Sequence, residues 1–248
     1  MLSLLRYRRI PYNFLIGGLF EEGIMDTSYL PKAKVNLMPT FYFKNKFNKL
    51  EPMIDSTFIL RRLEKLYSDR SAVPKSSVLN FLDYLIEDFA DEWLTKATFH
   101  YRWTYDEDIK KAGSTLSRWR SLTDNEETIK PIRKDISERQ ISRLYVVGSN
   151  TTTSDIIEGS YKNILKLMDK HMNNYPYIFG ERPSSSDFAL YGQLTQLTAF
   201  DPTPMKIADN IASRIVAWVG VMEDLSGLEV NNSDWVNSNN LTESFRNI

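Results

Sequence analysis

The stretch Gly180–Leu194, GERPSSSDFALYGQL, limits the fold of this chain more than any other. Gly180 and Pro183 punctuate a turn, and Ser184 stands three residues before Asp187. That is the spacing of a capping box, in which the serine hydroxyl accepts from the N3 amide and the N3 carboxylate reaches back to the N-cap amide. Pro183 and Phe188 take the positions of a hydrophobic staple. Phe188, Leu190, Tyr191, Leu194 and Leu197 then make a helix that is apolar nearly all round, which only a helix enclosed by others can be. A sharply started, fully buried helix requires a helical bundle to bury it.

The flanking sequence supplies the bundle. Leu79, Leu82, Leu85, Ile86, Phe89, Trp93 and Ala97 recur at three- and four-residue steps and predict one long amphipathic helix. Further helices are expected at roughly 107–121, 125–146, 153–174, 185–199 and 211–225. The first part of the chain differs. YNFLI (Tyr12–Ile16) and Val35–Phe43 are aromatic and β-branched enough for strands, and Lys44–Glu51 reads as a polar hairpin loop. The short apolar run Pro52–Ile54 breaks directly into a helix from Ser56, with Asp55 and Ser56 as its capping residues. The polar, proline-bearing Ser68–Ser77 reads as a linker. The expected fold is therefore α+β in two domains: a small α/β unit over 1–67 and an all-helical unit over 76–230. A polar tail over 231–248 follows, held by Trp235 or Phe245.

Composition removes most classes of chemistry. There is no cysteine among 248 residues, so disulfides, thiolate zinc sites and cysteine nucleophiles are out of reach. Two histidines, His100 and His171, do not make a multi-histidine metal centre, and no metal is expected. A net charge of −1 provides no field for nucleic acid or an anionic membrane. No apolar run is long enough to span a bilayer, and the opening MLSLLRYRR does not have the order of a signal peptide. The glycosylation sequons at Asn150, Asn231 and Asn240 are accordingly read as chance, in a reducing cytoplasm. GGLFEEG (Gly17–Gly23) lacks the spacing of a dinucleotide loop, and no P-loop, H-E-x-x-H or G-x-S-x-G pattern occurs.

At this point the chain resembles a known family. GERPSSSDFALYGQL is similar to the capping-box helix of the glutathione transferase C-terminal domain, and Asp201–Glu229 is similar to that domain's last helices. The resemblance implies a thioredoxin-like N-terminal domain whose third strand opens on a cis-proline. Met38-Pro39 stands where that proline would, and the freed backbone of Met38 would pair with the cysteinyl part of glutathione. It further implies an acidic–serine pair at the next helix start, here Asp55-Ser56, that receives the γ-glutamyl end. A helix N-terminus suits a carboxylate and Asp55 suits an ammonium. Each piece alone also has a plain reading, as an edge-strand proline and a pair of helix caps. The resemblance implies glutathione as substrate, a small apolar electrophile as second substrate, and a homodimer.

The remaining candidates read as structural. Phe99, Tyr101, Trp103 and Tyr105 do not share one helical face and are expected mostly in the core. Glu87, Asp88, Asp91 and Glu92 read as a solvated face, and His100 as a satisfied, partly buried histidine. The N-terminal region departs from the family pattern. LLRYRRIPYNFLI is closest to the end of a first helix running into a second strand, which leaves no first strand and no catalytic loop; the other alignment makes MLSLLRY the first strand. On the favoured alignment the natural start lies upstream, or the sheet has rearranged, or a partner chain covers the gap. The residue that activates the thiol is then unassigned, Tyr7 and Tyr12 being the nearest. A non-catalytic module of the same fold, serving protein interaction or ligand binding, is the alternative to an enzyme.

Overall fold

The computed structural model describes residues 1–16, 25–119 and 121–241. Gly17–Gly23 and Phe245, both weighed above, lie outside the described residues. Ten α-helices and one two-stranded sheet make up the described chain. A small unit with a two-stranded hairpin followed by a helical half is the α+β architecture expected.

Helix α8 (Ser185–Ala199) is the centre of the bundle. Its capping box is formed: the Ser184 amide donates to Asp187 Oδ2 at 2.9 Å, and the Ile178 amide reaches Oδ1 at 3.0 Å. Around it pack α3 (Ser77–Asp88), α4 (Thr95–Thr104), α9 (Pro202–Ile211) and α10 (Ser213–Met222). A π-helical segment, Phe89–Leu94, joins α3 to α4, so the predicted long helix exists but is continuous only through a widened turn. Helices α5 (Asp106–Arg118), α6 (Glu126–Ile141) and α7 (Ser154–His171) complete the bundle. The helix expected over 125–146 stops at Ile141; a short 3₁₀ turn, Leu144–Val147, and left-handed Gly148 follow.

Helix α9 is absent from the helices expected by periodicity but lies within Asp201–Glu229, the stretch similar to the family's last helices; two prolines, Pro202 and Pro204, stand in its first turn. At those positions a helix amide has no intrahelical partner, so proline removes nothing and presets φ.

The N-terminal unit is smaller than the sequence predicts. α1 (Leu2–Tyr7) buries Leu4, Leu5 and Tyr7, and Arg6 bonds the Glu223 carbonyl just beyond α10 at 2.8 Å. Its helical form agrees with the favoured alignment. Residues 11–16 form no strand, and the extended chain starts at Phe41 instead of Val35. A strand needs a ladder partner, and among the described residues YNFLI pairs with no strand; Ile16 alone accepts a backbone hydrogen bond, from the Met25 amide at 2.9 Å. What remains is the hairpin of β1 (Phe41–Lys44) and β2 (Leu50–Met53), closed by Asn45, whose Oδ1 accepts from the Phe47 and Lys49 amides at 2.9 and 3.0 Å. α2 (Ser56–Leu66) follows and buries Ile59, Leu60 and Leu63.

The tail is fixed as far as it is described. The Val236 amide donates to the Phe179 carbonyl at 2.9 Å, and the Glu181 amide to the Asp234 carbonyl at 2.9 Å. Gly180 makes this possible: its φ is +124°, and a Cβ there would stand 2.3 Å from the Asp234 oxygen. Trp235, one of the two aromatic anchors expected, is half-buried against Arg182, whose guanidinium lies 4.6 Å from the indole centroid.

Candidate functional site

Antiparallel register places the candidate residues together. Phe41 faces Met53 in the last ladder pair. Pro39 lies two residues before Phe41 and Asp55 two residues after Met53, so both are delivered to the same end of the hairpin. The Met38–Pro39 peptide bond is cis. Among the described residues, no hydrogen bond engages the Met38 peptide N–H or carbonyl.

Asp55 turns the chain from strand to helix in a left-handed conformation, φ 77°. Its Oδ1 accepts from the Thr57 and Phe58 amides at 3.0 and 3.4 Å, the work of an N-cap. Ser56, the first helical residue, is half-buried. Below it, Thr57 Oγ1 donates to Glu87 Oε1 at 2.8 Å and Arg61 to Glu87 Oε2 at 2.7 Å, which pins α2 onto α3.

The acidic run on α3 is therefore only partly a solvated face. Asp88 and Glu92 are exposed, but Glu87 is buried and Asp91 half-buried. Glu87 lies between α2 and the start of α8, where Arg61 supplies the counter-charge, contacts that spacing along α3 does not reveal. Ser185 Oγ lies 2.6 Å from Asp83 Oδ2 and 2.8 Å from Glu87 Oε2. One hydroxyl holds one proton, so Ser185 can donate to only one of the two at a time. Burial pushes Asp83 up. Asp91 is pushed up to about 6 by burial and then by Glu87, Asp55, Glu92 and Asp88. Negative charge thus gathers beside the N-terminus of α2, where the helix itself favours an anion. A group carrying both an ammonium and a carboxylate meets a partner for each. Among the described residues no cluster of His, Cys, Asp and Glu could hold a metal ion.

The tyrosine candidates lie elsewhere. Tyr7 is fully buried, and its hydroxyl accepts from Arg182 at 3.2 Å. Its neighbour Arg8 bonds the Tyr67 carbonyl at 2.6 Å, at the C-terminal end of α2. That helix has 11 residues, so this end stands about 16 Å from Ser56. Tyr12 lies near Arg6, the ion-pair partner of Glu223. Neither is brought to Pro39 and Asp55 by any contact described.

His100 is buried with Nδ1 2.8 Å from Ser149 Oγ, and burial pushes its pKa down. Tyr101 and Trp103 are core residues, and Tyr101 packs edge-on against Tyr161 at 5.5 Å. Phe99 and Tyr105 are half-buried.

No protein-family model and no curated protein sequence matches the chain. Among solved structures, it is similar to a glutathione transferase family member from Pseudomonas fluorescens pf-5, whose crystal structure holds two glutathione molecules. The two are 14% identical, the match covers 76% of this chain and 71% of that one, and the TM-score is 0.41. No helix among the described residues is long and apolar enough to cross a membrane.

Proposed function

We propose that this chain is a glutathione-binding protein of the glutathione transferase type, with residues 1–67 as the glutathione-binding domain and 76–230 as the helical domain. The observation that carries the reading is the hairpin register, which brings Met38-Pro39 and Asp55-Ser56 to one end of the sheet at the start of α2. The Met38 backbone pairs with the cysteinyl part of glutathione as an added strand would. Ser56, through its hydroxyl and its own amide at the start of α2, takes the γ-glutamyl carboxylate, and Asp55 with Asp91 takes its ammonium.

Conjugation to a small apolar electrophile is the activity that such a site would serve. The second reading, a non-catalytic binding module of the same fold, is favoured by the tyrosines: Tyr7 is committed to Arg182 at the far end of α2. A cytoplasmic homodimer completes the proposal. Its support is α3, which is apolar on both sides: Leu79 and Ile86 face the core while Val78, Phe81 and Leu85 are 50%, 66% and 53% exposed. A helix apolar all round is a helix to be covered.

Retention on immobilised glutathione, lost in Ser56→Ala, is the expected result; passage of the wild-type chain straight through the column would overturn the binding reading. A conjugation assay with an aryl halide then separates the two activities. Turnover supports the enzyme, and binding without turnover supports the module.

A further inference from the structure

A cavity of about 350 Å³ lies between the N-terminal end of α3 and the C-terminal tail, well away from the hairpin site. α3 has 12 residues, so its start stands about 18 Å from its Asp88 end, which neighbours Asp91 and α2. The cavity volume is in the range of small-molecule sites, about 300 to 1,000 Å³. Its apolar lining residues are Pro74, Leu79, Trp235 and Val236. The polar lining is Lys75, Ser76 and Asn232.

Both walls of this open cavity are held in place. The tail wall is held by main-chain bonds from Val236 to Phe179 and from Glu181 to Asp234. It is held again by Arg182, which donates to the Asn231 carbonyl at 3.0 Å and lies over the Trp235 ring. The opposite wall is the first turn of α3, where Ser76 Oγ caps the Leu79 amide at a long 3.5 Å. Among the described residues, no carboxylate lies within ion-pair distance of Lys75. A cavity lined by Trp235 and aliphatic residues, with the exposed Lys75 and a helix N-terminus at its rim, has the complement of one ligand class.

We infer that this cavity binds a flat aromatic carboxylate, its ring against Trp235, Leu79 and Pro74 and its carboxylate on Lys75 and the start of α3. The inference does not depend on glutathione binding, and a ligand here leaves the hairpin end open.

The test uses the whole chain with 2-naphthoate and its neutral counterpart 2-naphthamide, read by calorimetry and by the indole N–H resonance of Trp235. Saturable 2-naphthoate binding that shifts the Trp235 signal, in the presence or absence of glutathione, is expected. Lys75→Glu should weaken 2-naphthoate at least threefold and leave 2-naphthamide unchanged. Asn232→Trp, at an exposed position of the wall, should fill the cavity and abolish both. No saturable binding, an unmoved Trp235 signal, or full affinity in Asn232→Trp would each overturn the assignment.

Discussion

Burial and four neighbouring carboxylates act in the same direction on Asp91. Its folded-state pKa of about 6 stands above the 3.8 of a free carboxyl, so the folded chain holds that proton more tightly than the unfolded chain. The contribution is stabilising below about pH 4 and is lost as pH rises towards 6. Asp91→Asn should match the wild type in denaturant unfolding at pH 4 and exceed it at pH 7.5 by about 1 kcal/mol, a value reduced for partial solvent screening. A variant equal to the wild type at both pH values would mean the carboxylate is not under pressure. Asp187 sits at the other extreme of legibility. Its place three residues after Ser184 states its role in the sequence, and its carboxylate accepts from two buried amides. Asp187→Ala should cost about 3 kcal/mol in unfolding free energy, because both donors lose their partner in a site without water access.

Elements were legible where their cause is local. The start of α8 and the Asp55 cap of α2 follow from side chains within three residues of the amides they serve. Tyr12–Ile16 failed as a strand because strand pairing is set by a partner elsewhere, and β propensity alone does not supply one. Glu87 was misplaced on a solvated face for the same reason: its partners are distant in sequence, Arg61 on α2 and Ser185 on α8. The tail is an element held by one glycine. Gly180→Ala would put a Cβ 2.3 Å from the Asp234 carbonyl at a positive φ. The expected outcome is release of residues 231–241, seen as faster proteolysis there, with a loss of about 2 kcal/mol in stability. Unchanged proteolysis would show that the contact yields without detaching the tail.

At the scale of the whole molecule, the bundle was readable from periodicity, while the site was readable only as separate fragments. Pro39 and Asp55 are sixteen positions apart, and hairpin register is what unites them. The outer face of α3 sets the assembly proposal. Phe81→Glu, at a position 66% exposed, should change the stability of the subunit by no more than about 0.5 kcal/mol yet convert a dimer to a monomer in sedimentation velocity. A variant that sediments as the wild type does would place the interface elsewhere. The most direct measurement is a calorimetric titration of the full chain with reduced glutathione, run beside Ser56→Ala. Saturable one-site binding by the wild type, weakened at least tenfold in the variant, is expected from a γ-glutamyl carboxylate seated at the start of α2. Absence of saturable binding, or equal affinity in the two proteins, would contradict the placement of glutathione at the hairpin end.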